Sequence, residues 1–201
     1  KALICGCEDG SVWSWENNFE ETISCQLVAR LEHPVKAVAP SRLNPNIFFL
    51  GCSNGVIYRL NRDSMEIKMF GPRHRGCVRS MAQLGNSNLI ASAGDDRVIR
   101  IWEEGEGKAI RLLEGHTSRV WSIAAHSSVP IIASAGDDRS SRIWRSNGPI
   151  YPERSYYGFE HSVRSLDFDR YGGLVAACCD DVIRRWDAKE KYVRTEQIII
   201  Q

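Results

Sequence analysis

Apolar residues in this chain fall in runs of about five, many of them β-branched, and each run is closed by a cluster of Gly, Asp, Asn or Ser, the pattern of strands joined by tight turns. Alternation is clearest from Val120 to Ala124. A twelve-residue stretch is written twice: Ala91-Ser92-Ala93-Gly94-Asp95-Asp96-Arg97-Val98-Ile99-Arg100-Ile101-Trp102 returns from Ala133 to Trp144 with only Val98/Ser140 and Ile99/Ser141 changed. Each copy predicts a strand ending at Ser-Ala, a turn on Gly-Asp-Asp and a second strand closing on Trp, because Gly and Asp accept turn conformations that β-branched residues do not.

The step between the copies is 42 residues, and weaker copies keep it: Trp186 lies 42 after Trp144, Leu60 lies 42 before Trp102, and Trp15 lies 45 before Leu60. His33, His74, His116 and His161 follow the same beat. In chain order the predicted strands are 1–4 and 11–15 around Glu8-Asp9-Gly10, then 24–31, then 35–39, 47–51 and 56–60. After these come 77–83, 89–93, 98–102 and 109–113, the run from Val120, and an outer strand at Tyr192 to Gln197. Pro149 and Pro152 lie in the link after Trp144, so that edge is expected to be irregular.

Self-similarity at about 40 to 45 residues, with Gly-His near one end and Trp-Asp near the other, is the signature of propeller blades. Gly115-His116 and Trp186-Asp187 are the literal matches. On these residues and the two near-identical copies, the chain resembles the WD-repeat (WD40) family over essentially its whole length. The resemblance implies an all-β propeller of four-stranded antiparallel blades: a partial blade at 1–32 and blades at 33–73, 74–115, 116–160 and 161–201. Such rings usually close on seven blades, so an incomplete arc is expected. The chain opens inside a blade and ends on Ile198-Ile199-Ile200, so the rest of the ring is expected from a longer polypeptide or, alternatively, from a partner chain.

The resemblance also implies a hydrogen-bonded tetrad in each complete blade: His74, Ser92, Asp96 and Trp102, and again His116, Ser134, Asp138 and Trp144. A hydrolase reading of Ser-His-Asp is rejected, because the set recurs once per blade beside a Trp, as a structural network does. The other blades lack the full set: His161, Asp181 and Trp186 have Ala176 and Ala177 near the hydroxyl position, and His33 is followed by Leu50, Asn54 and Leu60. Ser141 and Arg185 break the apolar pattern set by Ile99 and Ile101. Arg100, Arg142 and Arg184 recur two residues before each Trp and read as stems lying on the strands with heads in solvent.

A 43% apolar content and a net charge of +1 describe a globular chain with no general electrostatic pull toward nucleic acid or anionic membrane, and neither is expected as a partner. No apolar run approaches the roughly 20 residues that span a bilayer, and no signal-peptide pattern is present. The seven cysteines form no C-x-x-C and read as small buried hydrophobes in a reducing compartment, so neither a disulfide nor a metal site is expected. Walker, G-x-S-x-G, H-E-x-x-H and dinucleotide motifs are absent, and no cofactor or catalytic residue is expected. Arg73-His74-Arg75-Gly76 lacks the adjacent arginines with which some propellers bind phosphoinositides.

In the WD40 family the exposed start of each first strand and the residue before the turn Asp face a rim around the central channel. Aligned on the repeats, Lys36, Arg79, Trp121 and Arg164 share one position, with Cys77, Arg119 and Ser162 two residues earlier. The pre-Asp positions include Glu8, Ser53, Asp95, Asp137 and Asp180. Large cationic and aromatic side chains at one aligned position are the types that dominate binding hot spots. The expected function is a non-catalytic protein-interaction scaffold of the cytoplasm or nucleus that receives partner peptides or loops with acidic and apolar residues inside a multisubunit assembly. The alternative is a substrate receptor of a cullin-RING ubiquitin ligase, suggested by the partial match of the sixteen-residue stretch Leu174 to Lys189 to the box such receptors carry.

Overall fold

Short apolar runs rich in β-branched residues favour extended chain, and the Gly- and Asp-rich clusters between them turn it back on itself. In the computed structural model the described residues are 2–18, 22–85, 87–169, 173–178, 182–186 and 196–199, and they form nineteen strands in five antiparallel sheets. The first sheet holds β1 (Ala2–Gly6), β2 (Ser11–Asn18) and β3 (Thr22–Arg30). The second holds β4 (Val35–Pro40), β5 (Ile47–Cys52), β6 (Ile57–Asn61) and β7 (Glu66–Met69). The third holds β8 (Val78–Gln83), β9 (Leu89–Gly94), β10 (Ile99–Glu103) and β11 (Ala109–Leu113). The fourth holds β12 (Val120–Ala125), β13 (Ile131–Gly136), β14 (Ser141–Arg145) and β15 (Arg154–Tyr156), and the fifth β16 (Val163–Phe168), β17 (Leu174–Cys178), β18 (Val182–Trp186) and β19 (Glu196–Ile199).

Each sheet is an up-and-down meander, and together they are consecutive blades of a propeller arc. One edge is irregular as its prolines imply, and one departs from the expected strand. The outer strand of the fourth sheet has only three residues, beyond the prolines that interrupt it. In the fifth sheet the outer strand takes in Ile198 and Ile199, because they pair with Ile183 and Val182; residues 192–195 of the expected strand lie outside the described residues.

The apolar cores lie between sheets. Ala37, Phe49 and Ile57 of the second sheet pack against Val78, Ile90 and Trp102 of the third. The other face of the third sheet, Ala91, Ala93 and Ile99, meets Val120, Ile132 and Trp144 of the fourth. Ala135 and Ile143 then meet Val163 and Leu166 of the fifth. Period-two alternation thus gives every inner sheet two apolar faces, each completed by a neighbour.

The hairpins β1–β2, β5–β6, β9–β10 and β13–β14 repeat one corner. Its left-handed position is Gly10 (φ 81°) and Gly55 (φ 85°) in the first two sheets but Arg97 (φ 69°) and Arg139 (φ 57°) in the next two. Just before the turn, a Cβ on Gly94 would stand 1.8 Å from the Cys77 carbonyl oxygen, and one on Gly136 would stand 2.1 Å from that of Arg119. No side chain fits there, which is why both copies of the stretch carry Gly.

Candidate interaction rim

Beneath the rim lie two buried polar networks of the same form. Trp102 Nε1–H donates to Ser92 Oγ (2.8 Å), the Ser92 hydroxyl donates to His74 Nε2 (2.7 Å), and His74 Nδ1–H reaches both oxygens of Asp96 at 2.9 Å. In the fourth sheet the same order runs Trp144 to Ser134 (2.7 Å), Ser134 to His116 (2.6 Å) and His116 to Asp138 (2.8 Å). A neutral imidazole with its proton on Nδ1 gives every proton in this chain an acceptor. Ser92, Ser134, Trp102 and Trp144 are fully buried, so neither hydroxyl can meet a substrate.

Arg100 and Arg142 correct the expectation of heads in solvent. Arg100 Nη2 stands 3.0 Å from Asp96 Oδ2, and Arg142 Nη2 stands 3.3 Å from Asp138 Oδ2. Each closes its network by compensating a carboxylate that is only 6% or 4% exposed. The physical need was in the sequence: a buried Asp beside a neutral His requires a cation, and Arg lies four residues beyond it. Ser140, where the other copy has Val98, joins by donating to Asp138 Oδ1 (2.7 Å) and accepting from Arg142 Nε (3.1 Å). Arg185 in place of Ile101 pairs with Asp169 (2.7 Å). Ser141 is buried with its hydroxyl unbonded, and nothing in the structure explains it.

Where the network is incomplete it has been replaced by packing. Leu50 and Leu60 are both fully buried against Val12 and Val35, and His33 stays exposed. His161 is likewise exposed, while Asp181 lies outside the described residues. A half-satisfied polar chain would cost more than either alternative.

Burial alone would raise the Asp96 carboxyl, but the hydrogen bond and charge of His74, the Arg75 amide and Arg100 outweigh it and hold the group at about 2. Asp138 is lowered in the same way, its burial opposed by His116, Ser140 and the Thr117 amide. Burial pushes His116 below 6.5 against the pull of Asp138. The unfolded chain therefore binds protons first at both kinds of site. Stability is expected to be level between about pH 7 and 8, to fall as the pH drops below the 6.5 of an unfolded His116, and to fall again between 3.8 and about 2 as Asp96 is protonated. Urea midpoints measured across this range check it, and a midpoint unchanged from pH 7 to 5 would contradict the His116 contribution.

On the rim itself, one feature places the aligned side chains. The ladder slips by one residue between Val35 and Ala37, Val78 and Ser80, Val120 and Ser122, and Val163 and Ser165. The residue left unpaired in each case is Lys36, Arg79, Trp121 or Arg164. A bulge turns its side chain out of the sheet, and this device leaves no mark in the hydrophobic pattern.

The rim side chains are partnered across and within sheets. Arg79 grips Asp95 with two bonds, Nε to Oδ1 at 2.7 Å and Nη2 to Oδ2 at 3.1 Å. Trp121 Nε1–H and the Ser162 hydroxyl both donate to Asp137 Oδ1, at 2.6 and 2.7 Å. Lys36 pairs with Glu8 of the preceding sheet. Arg119 approaches Asp95 at 3.9 Å and Arg164 approaches Asp137 at 4.0 Å. Partial burial works to raise the Asp137 carboxyl, but the bonds from Ser162 and Trp121, with Arg164 and Arg119 beyond, hold it below the usual range.

Some expected members do not contribute. Cys77 is buried, its Sγ turned to the Val78 carbonyl, and burial raises its thiol, so it offers nothing to a partner. Ser53 is half-buried at its turn; Asp180 and the Asp187-Ala188-Lys189 end of the ligase-type box lie outside the described residues. Of the cysteines, Cys52 and Cys77 are buried as expected, whereas Cys5 and Cys25 are exposed, and all five described thiols are free. Among the described residues no group of three or more His, Cys, Asp or Glu is placed to hold a metal ion.

The family model described as "WD domain, G-beta repeat" matches residues 66–103, 107–145 and 151–187, more than half of the chain. The ubiquitin homeostasis protein lub1 of Schizosaccharomyces pombe is 34% identical over 77 residues, 38% of this chain and 10% of that protein. The WD repeat-containing protein pop1 of the same organism is 38% identical over 55 residues, 27% of this chain and 7% of its own length. The nuclear distribution protein PAC1 of Arthroderma benhamiae is 30% identical over 120 residues, covering 54% of this chain and 25% of that protein. The chain thus spans a quarter or less of these relatives. A chain in the crystal structure of a mitotic checkpoint complex superposes with a TM-score of 0.85 at 19% identity, over 99% of this chain and 60% of that one.

Proposed function

Because the chain belongs to the WD40 repeat family, we propose that it is a non-catalytic scaffold that receives segments of other proteins on the rim formed by the third to fifth sheets, within a multisubunit assembly. The observation that carries this reading is the bulge repeated at Lys36, Arg79, Trp121 and Arg164, which spends a ladder position in four successive sheets to turn a large side chain outward. Bulges cost pairing, so four at one level point to a selected surface. The burial of Ser92 and Ser134 supports a structural role for the two Ser-His-Asp sets. We place the protein in the cytoplasm or nucleus, a reading supported by the five free thiols and by the relative described as a nuclear distribution protein.

The test is a variant combining Arg79→Glu, Trp121→Ala and Arg164→Glu in the full-length protein, with cooperative unfolding verified first. It is expected to lose most of the native partners recovered by mild affinity purification. Recovery at wild-type yield would move the binding surface to the sheet edges or the opposite face.

A further inference from the structure

Trp121 has no free face. The guanidinium carbon of Arg79 lies 4.1 Å from its ring centroid and that of Arg164 lies 3.9 Å away. Two guanidinium groups cannot share one face at that height, and the third and fifth sheets that supply them flank the fourth, so the ring is covered on both sides. Its indole N–H is committed to Asp137. A partner aromatic ring therefore finds nothing to stack on.

The two cations around it differ in state. Arg79 is occupied by its double bond to Asp95. Among the described residues, Arg164, 46% exposed, and Arg119, 55% exposed, reach acids at 4.0 and 3.9 Å, beyond hydrogen-bond length. The rim acids, by contrast, already accept bonds: Asp95 from Arg79, Asp137 from Trp121 and Ser162, and Glu8 from Lys36. Unused hydrogen-bonding capacity at this place is cationic, in planar groups suited to bidentate carboxylate recognition.

Resting on the rim reading above, we infer that Trp121 is a positioning residue that holds Arg164 by stacking, and that Arg164 and Arg119 receive paired carboxylates from an acidic segment of a partner protein. Stacking fixes the guanidinium plane without consuming its N–H donors, so less order remains to be imposed when the carboxylate arrives.

The experiment uses the full-length protein and a fluorescein-labelled peptide rich in Glu and Leu, with a counterpart carrying Gln for every Glu. The Glu peptide is expected to bind at least about tenfold more tightly than the Gln peptide, the effect of charge-assisted hydrogen bonds. Arg164→Gln and Arg119→Gln should each erase most of that preference and flatten its salt dependence. Trp121→Ala should lower affinity about as much as Arg164→Gln, Trp121→Phe should restore it because the stack is kept, and the Trp121→Ala, Arg164→Gln double variant should be no weaker than either single one. Equal binding of the two peptides, wild-type binding by Trp121→Ala, or additive losses in the double variant would each overturn the inference. The fate of the rim as a docking surface is read separately, from native partners lost by the triple variant.

Discussion

Trp144→Ala is expected to lower the unfolding free energy by about 3 to 5 kcal/mol, the usual cost of deleting a buried aromatic side chain. The indole is fully buried, packed against Ile99 and Leu84 of the neighbouring sheet, and its N–H satisfies Ser134. Removal opens a cavity at an interface that cannot collapse, because the ladder on either side fixes the sheet spacing. In a domain of this size the loss corresponds to a melting temperature lower by roughly 6 to 20 °C. Thermal and urea unfolding measure it, and a variant melting with the wild type would show that the indole is not held as described.

The second large effect is at Asp138. Its carboxylate accepts from His116, the Thr117 and Ser140 amides, the Ser140 hydroxyl and Arg142, with the side chain only 4% exposed. Asp138→Asn puts an amide donor among these donors and leaves Arg142, 9% exposed, without its counter-charge. Breaking one side of such a buried pair is expected to cost about 3 to 5 kcal/mol. Adding Arg142→Met removes the uncompensated cation, so the double variant should be more stable than the two single losses imply, with a coupling of about 0.5 to 3 kcal/mol. Simple additivity in urea denaturation would mean that Arg142 stabilises Asp138 hardly at all.

How far these sites could be read in advance depended on what repetition encodes. The 42-residue step aligns His74 with His116 and Trp102 with Trp144, and within each sheet the His and the Trp do converge on one Ser, Ser92 or Ser134, because equivalent positions in equivalent sheets share a geometry. Repetition says nothing of contacts between one sheet and the next. The Arg119 approach to Asp95 and the stacking of Arg79 and Arg164 on Trp121 were illegible for that reason. Nor does a hydrophobic pattern reveal a bulge, since the extra residue in β8 or β12 stands between Val78 and Ser80 or Val120 and Ser122 as any residue of an alternating strand could. Arg142 misled differently: a long cationic side chain on a strand is most often solvated, and only the buried carboxylate left by a neutral imidazole marks the exception.

The placement of the cores between sheets bears on how such a chain can grow. Val120, Ile132 and Trp144 turn toward the third sheet as Val78, Ile90 and Trp102 turn toward the second, and Ala133, Ala135 and Ile143 offer onward what Ala91, Ala93 and Ile101 offer. A gene duplication that copies one 42-residue unit therefore copies both a docking face and its complement. The newcomer fits beside its parent on arrival, and divergence can follow afterwards. The near-identical stretches that end on Trp102 and Trp144 are what such a copy would carry, while in the second unit Leu50 and Leu60 fill with hydrocarbon the places that the polar network holds elsewhere.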